Sequence, residues 1–499
     1  MSTETSSPQG GIGSGLKART KAVLQDAFLR QAVAFTTNKL RTGRLSAAEE
    51  FGDWETWRTR GQEIRQHTIE HLDYYLGQFA EQAERRGARV HFCGTGGEAV
   101  QVFLAIAKEK QAKLVAKGKS MVSEEMHLNE RLREQGIDAI ETDLGEYILQ
   151  LAKETPSHLI IPAIHKNKSQ IAELFTKEAG KPLPSETKEL AAFAKRKLRQ
   201  FFLEADIGLS GCNFGIAESG TVTIVSNEGN GRMVTTLPQT HVVVMGMERL
   251  VPTFDDVEVM LNLLARSATG QKLTTYTSFI SGPRQRGDLD GPEELHIIIL
   301  DNGRSAQLGD PQFQQVLHCI RCAACLNVCP VYRHVGGHTY GSVYSGPIGA
   351  VLTPLLQQDM KEAGTLAYAS SLCGACYEAC PVKIPLHDML VHLRARKVKE
   401  GYTPLTERLG FQLFGKVFSH VKWYRMAGKA AYYGQKPLVR GGVIRKGPGP
   451  LGGWTASRTF PAIPKQSFRD RWDELQAELS RADREQGIVR KNRVQGRDS

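Results

Sequence analysis

The sequence predicts an α/β domain with a mixed sheet, then an α-helical domain wound around two cysteine clusters, then a helical C-terminal extension. Three observations carry this. Between residues 88 and 178, short apolar runs alternate with amphipathic stretches, the signature of a parallel sheet covered on both faces. From about residue 221 to 300 the pattern turns strand-rich, with β-branched runs bounded by Gly, Asn and Pro. Beyond Asp301, helical patterns gather around seven of the nine cysteines.

The elements follow in order. Residues 1–19, opening "MSTETSSPQGGIGSG", are Ser/Gly-rich and are expected to be a disordered tail without the apolar core of a signal peptide. Residues 20–302 are expected to form the α/β domain, beginning with helices. "GQEIRQHTIEHLDYYLGQFAEQAERRG" has apolar residues at helical spacing and stops at Gly87. "ARVHF", "AKLVAK", "IDAIET" and "SHLIIPAI" then read as strands. "EAVQVFLAIAKEK", "SEEMHLNERLREQG", "LGEYILQLAKE" and "KSQIAELFTKE" read as the helices between and after them. A long helix, "ETKELAAFAKRKLRQFFLEA", precedes the strands "TVTIVSN", "THVVVMGM", "KLTTYTSFISG" and "ELHIIIL", with the helix "DDVEVMLNLLARSATG" among them.

Residues 303–400 form the cysteine domain. There Leu386, Met389, Leu390 and Leu393 place an apolar stripe on one helix. Residues 401–499 form the extension: helical to about Tyr433, then a Gly/Pro-rich linker, then a charged helix over about 467–486.

Composition narrows the function classes. The chain has 499 residues, 41% hydrophobic and 23% charged, with a net charge of +11. No apolar run reaches the ~18 residues of a membrane span. Residues 440–499 carry 13 Lys/Arg against 7 Asp/Glu, an excess of +6. No nucleic-acid-binding signature accompanies it, so the reading is a solvated basic tail and no nucleic-acid partner. Paired Cys-x-x-Cys spacings without an export signal argue for metal chemistry in a reducing compartment, hence a cytoplasmic location, and against a disulfide framework.

Cys319-x-x-Cys322-x-x-Cys325-x-x-x-Cys329-Pro330 is the bacterial ferredoxin run. Three thiolates at three-residue steps wrap one face of an iron–sulfur cubane, and the fourth, ahead of Pro, leaves toward a second cluster. Cysteine thiolates are the soft donors that such clusters take. Zinc ribbons also use Cys-x-x-Cys pairs, but usually as two separated pairs. The partial repeat supplies Cys373, Cys376 and Cys380-Pro381, with Ser370 in the slot of the missing cysteine. Crossed ligation then gives cluster 1 Cys319, Cys322, Cys325 and Cys380, a 4Fe–4S centre. Cluster 2 takes Cys329, Cys373 and Cys376, and is either a 4Fe–4S centre with a non-cysteine ligand (Ser370, Ser371, water or a partner's group) or a 3Fe–4S centre.

The α/β region offers weaker candidates. Gly94-x-Gly96-x-x-Ala99 formally fits a dinucleotide fingerprint, but no acidic residue follows the next strand, and a tight turn is the better reading. Lys117, Lys119 and Ser120 could hold an anion, and Glu218, Ser219 and Gly220 could line a cleft. His165, Glu141 and Asp143 sit where open α/β sheets place ligands. Cys93 and Cys212 read as structural. No catalytic residue is identified.

"KSMVSEEMHLNERL", "ETDLGEYILQLAKETPSHLIIPAIHKNK", "GIAESGTV" and "SLCGACYEACPVKIPLHDML" together resemble the lactate utilisation protein B family. The resemblance implies a lactate-utilisation (LUD) domain related to sugar-isomerase and CoA-transferase-like α/β proteins, a helical ferredoxin-type two-cluster module, and a C-terminal extension. It implies an iron–sulfur electron-transfer subunit in oxidation of L-lactate to pyruvate, working with a cysteine-rich subunit and a LUD-only subunit. Two other functions fit the same residues: a catalytic LUD domain with the clusters as internal relay, and a redox-sensing regulator.

Overall fold

The computed structural model describes residues 12–485. They divide into two compact units that part at Tyr402 and Thr403. In the first unit the strands are β1 (Arg89–Cys93), β2 (Leu114–Lys117), β3 (Asp138–Glu141), β4 (Ile207–Gly211), β5 (Phe214–Ile216), β6 (Thr221–Ser226), β7 (Thr240–Gly246), β8 (Leu250–Val251), β9 (Tyr276–Ile280) and β10 (Glu294–Leu300).

Six of them form a sheet in the order β1-β10-β7-β4-β2-β3, and every pair is parallel. Its centre is set by hydrophobicity. Every residue of β7 is buried, as is all of β10 after its first residue, because both read as near-continuous apolar runs. The remaining strands form a second sheet, β8-β5-β6-β9, in which β5–β6 and β6–β9 are antiparallel and β5–β8 is parallel. The mixed sheet expected from the sequence is therefore two sheets, one wholly parallel.

Two expectations are corrected. "SHLIIPAI" is a turn, not a strand. Its His158 ring accepts the N–H groups of Ile160 and Ile161 at 3.1 and 3.2 Å, and its Nε2 meets Asn327 Oδ1 at 3.0 Å. The apolar run is buried by docking on the cysteine region instead of by strand pairing. In the N-terminal tail, the helix Ile12–Gln25 starts inside the stretch expected to be disordered. Residues 1–11 lie outside the described residues.

The cysteine region packs on the α/β region without a break in the core. One apolar cluster runs from Val243, Met245 and Ile297 of the sheet through Leu317, Ile320 and Leu326 to Leu390. The 155–167 turn is the saddle of this contact: Tyr332 donates its hydroxyl to Ser157 O at 2.7 Å, and Gly337 N–H donates to Ser157 Oγ at 3.1 Å. A Cβ on Gly337 would stand 1.8 Å from Ser157 O, so only glycine permits this approach.

In the second unit, helices Leu405–Phe418 and Val421–Gly434 contact one another, and Phe418 touches Tyr424 edge-on with ring centroids 5.5 Å apart. Three two-residue strands and the helices Pro450–Thr455 and Trp472–Glu485 follow. No helix among the described residues is long and apolar enough to cross a membrane.

Candidate metal centre

The two cysteine runs repeat in the backbone as well as in the sequence. Arg321 and Ala323 flank Cys322 at φ +61°, and Leu372 and Gly374 flank Cys373 at φ +56° and +80°. Each loop then enters a five-residue helix, Ala324–Val328 and Ala375–Ala379. Left-handed residues on both sides of a cysteine fold the chain back on itself, which lets neighbouring thiols and N–H groups share one concave side. Non-glycine residues tolerate this conformation only at some cost, so it is held by the surrounding packing.

The Cys-Pro dipeptides have a matching logic. Proline lacks an N–H, and the donors just beyond it turn back to the thiol: Tyr332 N lies 3.5 Å from Cys329 Sγ, and Ile384 N lies 3.4 Å from Cys380 Sγ.

The thiols fall into two groups. Cys319, Cys322, Cys325 and Cys380 line one small cavity of about 20 Å³, closed by Ile320, Ile348, Val382 and Leu386. Cys329, Cys373 and Cys376 act electrostatically on one another. Six of the seven are buried and Cys373 is exposed. Burial, followed by the neighbouring Cys329 and Cys373, pushes the Cys376 thiol up to about 12, and burial pushes Cys380 up to about 11. Cys325 is driven up by burial and by four other thiols. Such crowding of soft donors disfavours several bare thiolates side by side and suits a group that brings its own positive charge. The residues present therefore fit iron–sulfur clusters. Among the described residues no three His, Cys, Asp or Glu side chains are arranged to hold a single metal ion. Ser370 Oγ, in the eighth slot, accepts the N–H of Leu372 at 3.1 Å.

A collar of buried arginines surrounds the first group, and no spacing in the sequence announces it. Arg58 donates to Cys380 O at 2.9 Å and Tyr377 O at 3.1 Å. Arg249 donates to Cys319 O at 2.9 Å and Asn213 O at 2.5 Å. Arg65 donates to Leu317 O at 2.9 Å and Leu250 O at 2.5 Å, and burial pushes it down to about 9. Glu248 anchors the collar, bonded to Arg304 at 2.7 Å and Arg321 at 3.2 Å. Burial opposes its charge, yet Arg304, Arg321 and Arg249 bring Glu248 down to about 2. The Cys319 and Cys380 carbonyls thus accept from arginines 70 and 322 positions away, which a linear reading does not see.

The α/β candidates separate. Gly94 N–H donates to Glu98 Oε2 at 2.8 Å and Gly96 N–H to Asn302 Oδ1 at 3.1 Å, so this turn satisfies itself with a carboxylate that repels a pyrophosphate. Lys117 is buried between Glu124 and Glu141, 2.5 Å from the latter, and is no anion ligand. Glu218 caps a helix through Phe254 N at 2.7 Å, and Ser219 bonds Thr221 at 2.8 Å. His165 pairs with Glu154 at 2.6 Å, beside His338. Cys93 is buried. Lys119, Ser120, Asp143 and Cys212 do meet, along a larger cavity of about 300 Å³.

Family models match three segments: a LUD domain at residues 76–300, a 4Fe-4S dicluster domain at 315–384, and the lactate utilisation protein B C-terminal region at 392–477. The lactate utilization protein B of Oceanobacillus iheyensis is 53% identical over 461 residues, covering 92% of this chain and 96% of its own. That of Bacillus subtilis is 52% identical over 458 residues, covering 91% and 95%. With identity at this level along nearly the whole of both chains, and two thiol groups laid out where the dicluster match falls, this protein is an iron–sulfur member of the lactate utilisation protein B family.

Proposed function

We propose that this chain is a two-cluster electron carrier in L-lactate utilisation. Cluster 1, a 4Fe–4S centre, is held by Cys319, Cys322, Cys325 and Cys380. Cluster 2 is held by Cys329, Cys373 and Cys376. When bound, the clusters would supply one-electron transfer. The observation that carries this reading is the segregation of seven thiols into a buried group of four around one cavity and a group of three that includes the exposed Cys373.

The two groups differ in what surrounds them. Arg44, Arg65, Arg249 and Arg321 interact electrostatically with Cys319, Cys322 or Cys380, and Arg58 with Cys380. Positive charge near a cluster favours its reduced form, so the collar raises cluster 1 in potential. Cluster 2 reaches the surface through Cys373, beside the partly exposed Leu372 and Tyr377, and is where a companion subunit would exchange electrons. Ser370 is engaged by its own loop, which favours a three-iron centre or an exogenous fourth ligand over serine ligation.

Anaerobic purification with iron and sulfide counts, and electron paramagnetic resonance before and after dithionite, test the reading. Two distinguishable, reducible signals are expected. A colourless protein loaded with zinc rejects it.

A further inference from the structure

The larger cavity is placed by the topology of the parallel sheet. β2 neighbours β3 on one side and β4 on the other, while the chain from β4 runs on to β7 in the opposite direction. The strand order therefore reverses between β2 and β4, and in open parallel sheets ligands bind at the carboxyl ends of the strands at such a point. The cavity lies there: Gly118, Lys119 and Ser120 follow β2, while Ser210, Gly211 and Cys212 close and follow β4.

Its far wall comes from the cysteine region. Arg321, one residue before Cys322, lines both this cavity and the small one bounded by four thiols. The guanidinium stacks over the Tyr344 ring at 4.7 Å and gives Nη2 to Glu248, but its buried Nη1 has no partner. An unpaired buried guanidinium N–H is costly, and a ligand oxygen is the natural acceptor. Lys119 adds a second cation held only loosely, 3.6 Å from Glu146 and 3.5 Å from Ile160 O. The lining also includes Asp143 and Glu228; burial and Asp143 raise the Glu228 carboxyl against the lowering effect of Lys119, so the space beside it disfavours a second negative charge. The rest of the lining mixes polar side chains, Asn213, Asn227 and Gln271 among them, with an apolar set that includes Ile224, Leu264 and Ala268. At about 300 Å³ the space equals about ten waters, more than a three-carbon acid fills.

We propose that this cavity binds an organic monocarboxylate with an apolar body, its carboxylate seated on Arg321 Nη1 next to cluster 1. The inference rests on the carrier reading only where it places cluster 1 at Cys319 and Cys322; the cavity itself stands on the α/β fold. Occupancy neutralises a guanidinium that acts electrostatically on Cys319, so the bound acid also alters the resonance of cluster 1.

The test is calorimetry on the anaerobically prepared full chain with phenylpyruvate, pyruvate and the dicarboxylate oxaloacetate. Phenylpyruvate is expected to bind more tightly than pyruvate, and oxaloacetate weakest. Lys119→Gln is expected to weaken phenylpyruvate binding about tenfold, the loss of a single charge-assisted hydrogen bond. Ala268→Phe fills the cavity from the α/β side and is expected to abolish binding while iron content stays unchanged, which keeps the test valid should Arg321→Gln disturb the cluster. A shift in the cluster 1 resonance on adding phenylpyruvate is expected in the unaltered protein and absent in Ala268→Phe. Binding unchanged in Ala268→Phe, or no binding of phenylpyruvate or pyruvate at millimolar concentration to protein with full iron content, overturns the proposal. Absence of iron with binding intact would instead remove the carrier reading and leave the cavity standing.

Discussion

At the scale of single residues, ligand roles and buried charges make separable predictions. Cys380 belongs by sequence to the second run but lines the cavity of the first. Cys380→Ala is expected to abolish the 4Fe–4S signal assigned to cluster 1, and Cys376→Ala to spare it; paramagnetic resonance of the two variants decides. Removing one arginine of the collar, as in Arg58→Gln, is expected to lower the cluster 1 potential by on the order of tens of millivolts, read by redox titration. Glu248→Gln leaves buried arginines unpaired and is expected to destabilise by about 3–5 kcal/mol in denaturant unfolding.

Acid stability follows from the same residues. The Glu248 carboxyl is held down at about 2 by Arg304, Arg321 and Arg249, so its contribution is complete above the ordinary carboxylate range and is lost as pH falls through it toward 2. His241 is pushed down to about 3 and His158 to about 4, in both cases by burial. The unfolded chain protonates them near 6.5 while the folded chain does not. Stability is therefore expected to decline from about pH 6.5 downward, by on the order of 1–2 kcal/mol per histidine by pH 5. An unfolding midpoint unchanged between pH 7 and 5 would contradict this.

At the scale of elements, the 155–167 turn shows how packing overrides pattern. Leu159, Ile160 and Ile161 have strand composition, and a strand there would have extended the parallel sheet. The flanking Pro156 and Pro162, the hydrogen bonds to His158 and the contact with Tyr332, Asn327 and Gly337 make it a saddle instead. Gly337→Ala sets a Cβ against the Ser157 carbonyl and is expected to cost about 1–3 kcal/mol by overpacking. Because this seam joins the cysteine region to the sheet, a lower thermal midpoint should be accompanied by faster cluster loss, followed by visible absorbance on warming.

At the scale of the whole molecule, all seven clustered cysteines lie in the unit that ends at Tyr402. A chain stopped at Tyr402 is expected to keep the iron content of the full protein, while the extension serves another purpose. Its helices Leu405–Phe418 and Val421–Gly434 contain no buried residue, and Phe411, Phe414 and Trp423 are exposed. Iron analysis of the truncated chain checks the assignment; loss of half the iron or more would place a cluster requirement in the extension.

What the sequence determined by itself is what short-range chemistry encodes. Thiol spacing and the following proline act within about ten residues, and helical and strand periodicities act within one element, so the cluster motifs and the α/β alternation were legible. Family motifs carried the rest of the outline. Tertiary structure alone decided the division into two sheets, the turn at 155–167, the arginine collar and the cavity at the strand reversal. Each depends on groups brought together across long separations in sequence, such as Arg58 with Cys380 or Arg321 with Glu248. Burial turns those meetings into strong interactions, because in a desolvated interior an unpaired polar group is costly and a charge must find its partner.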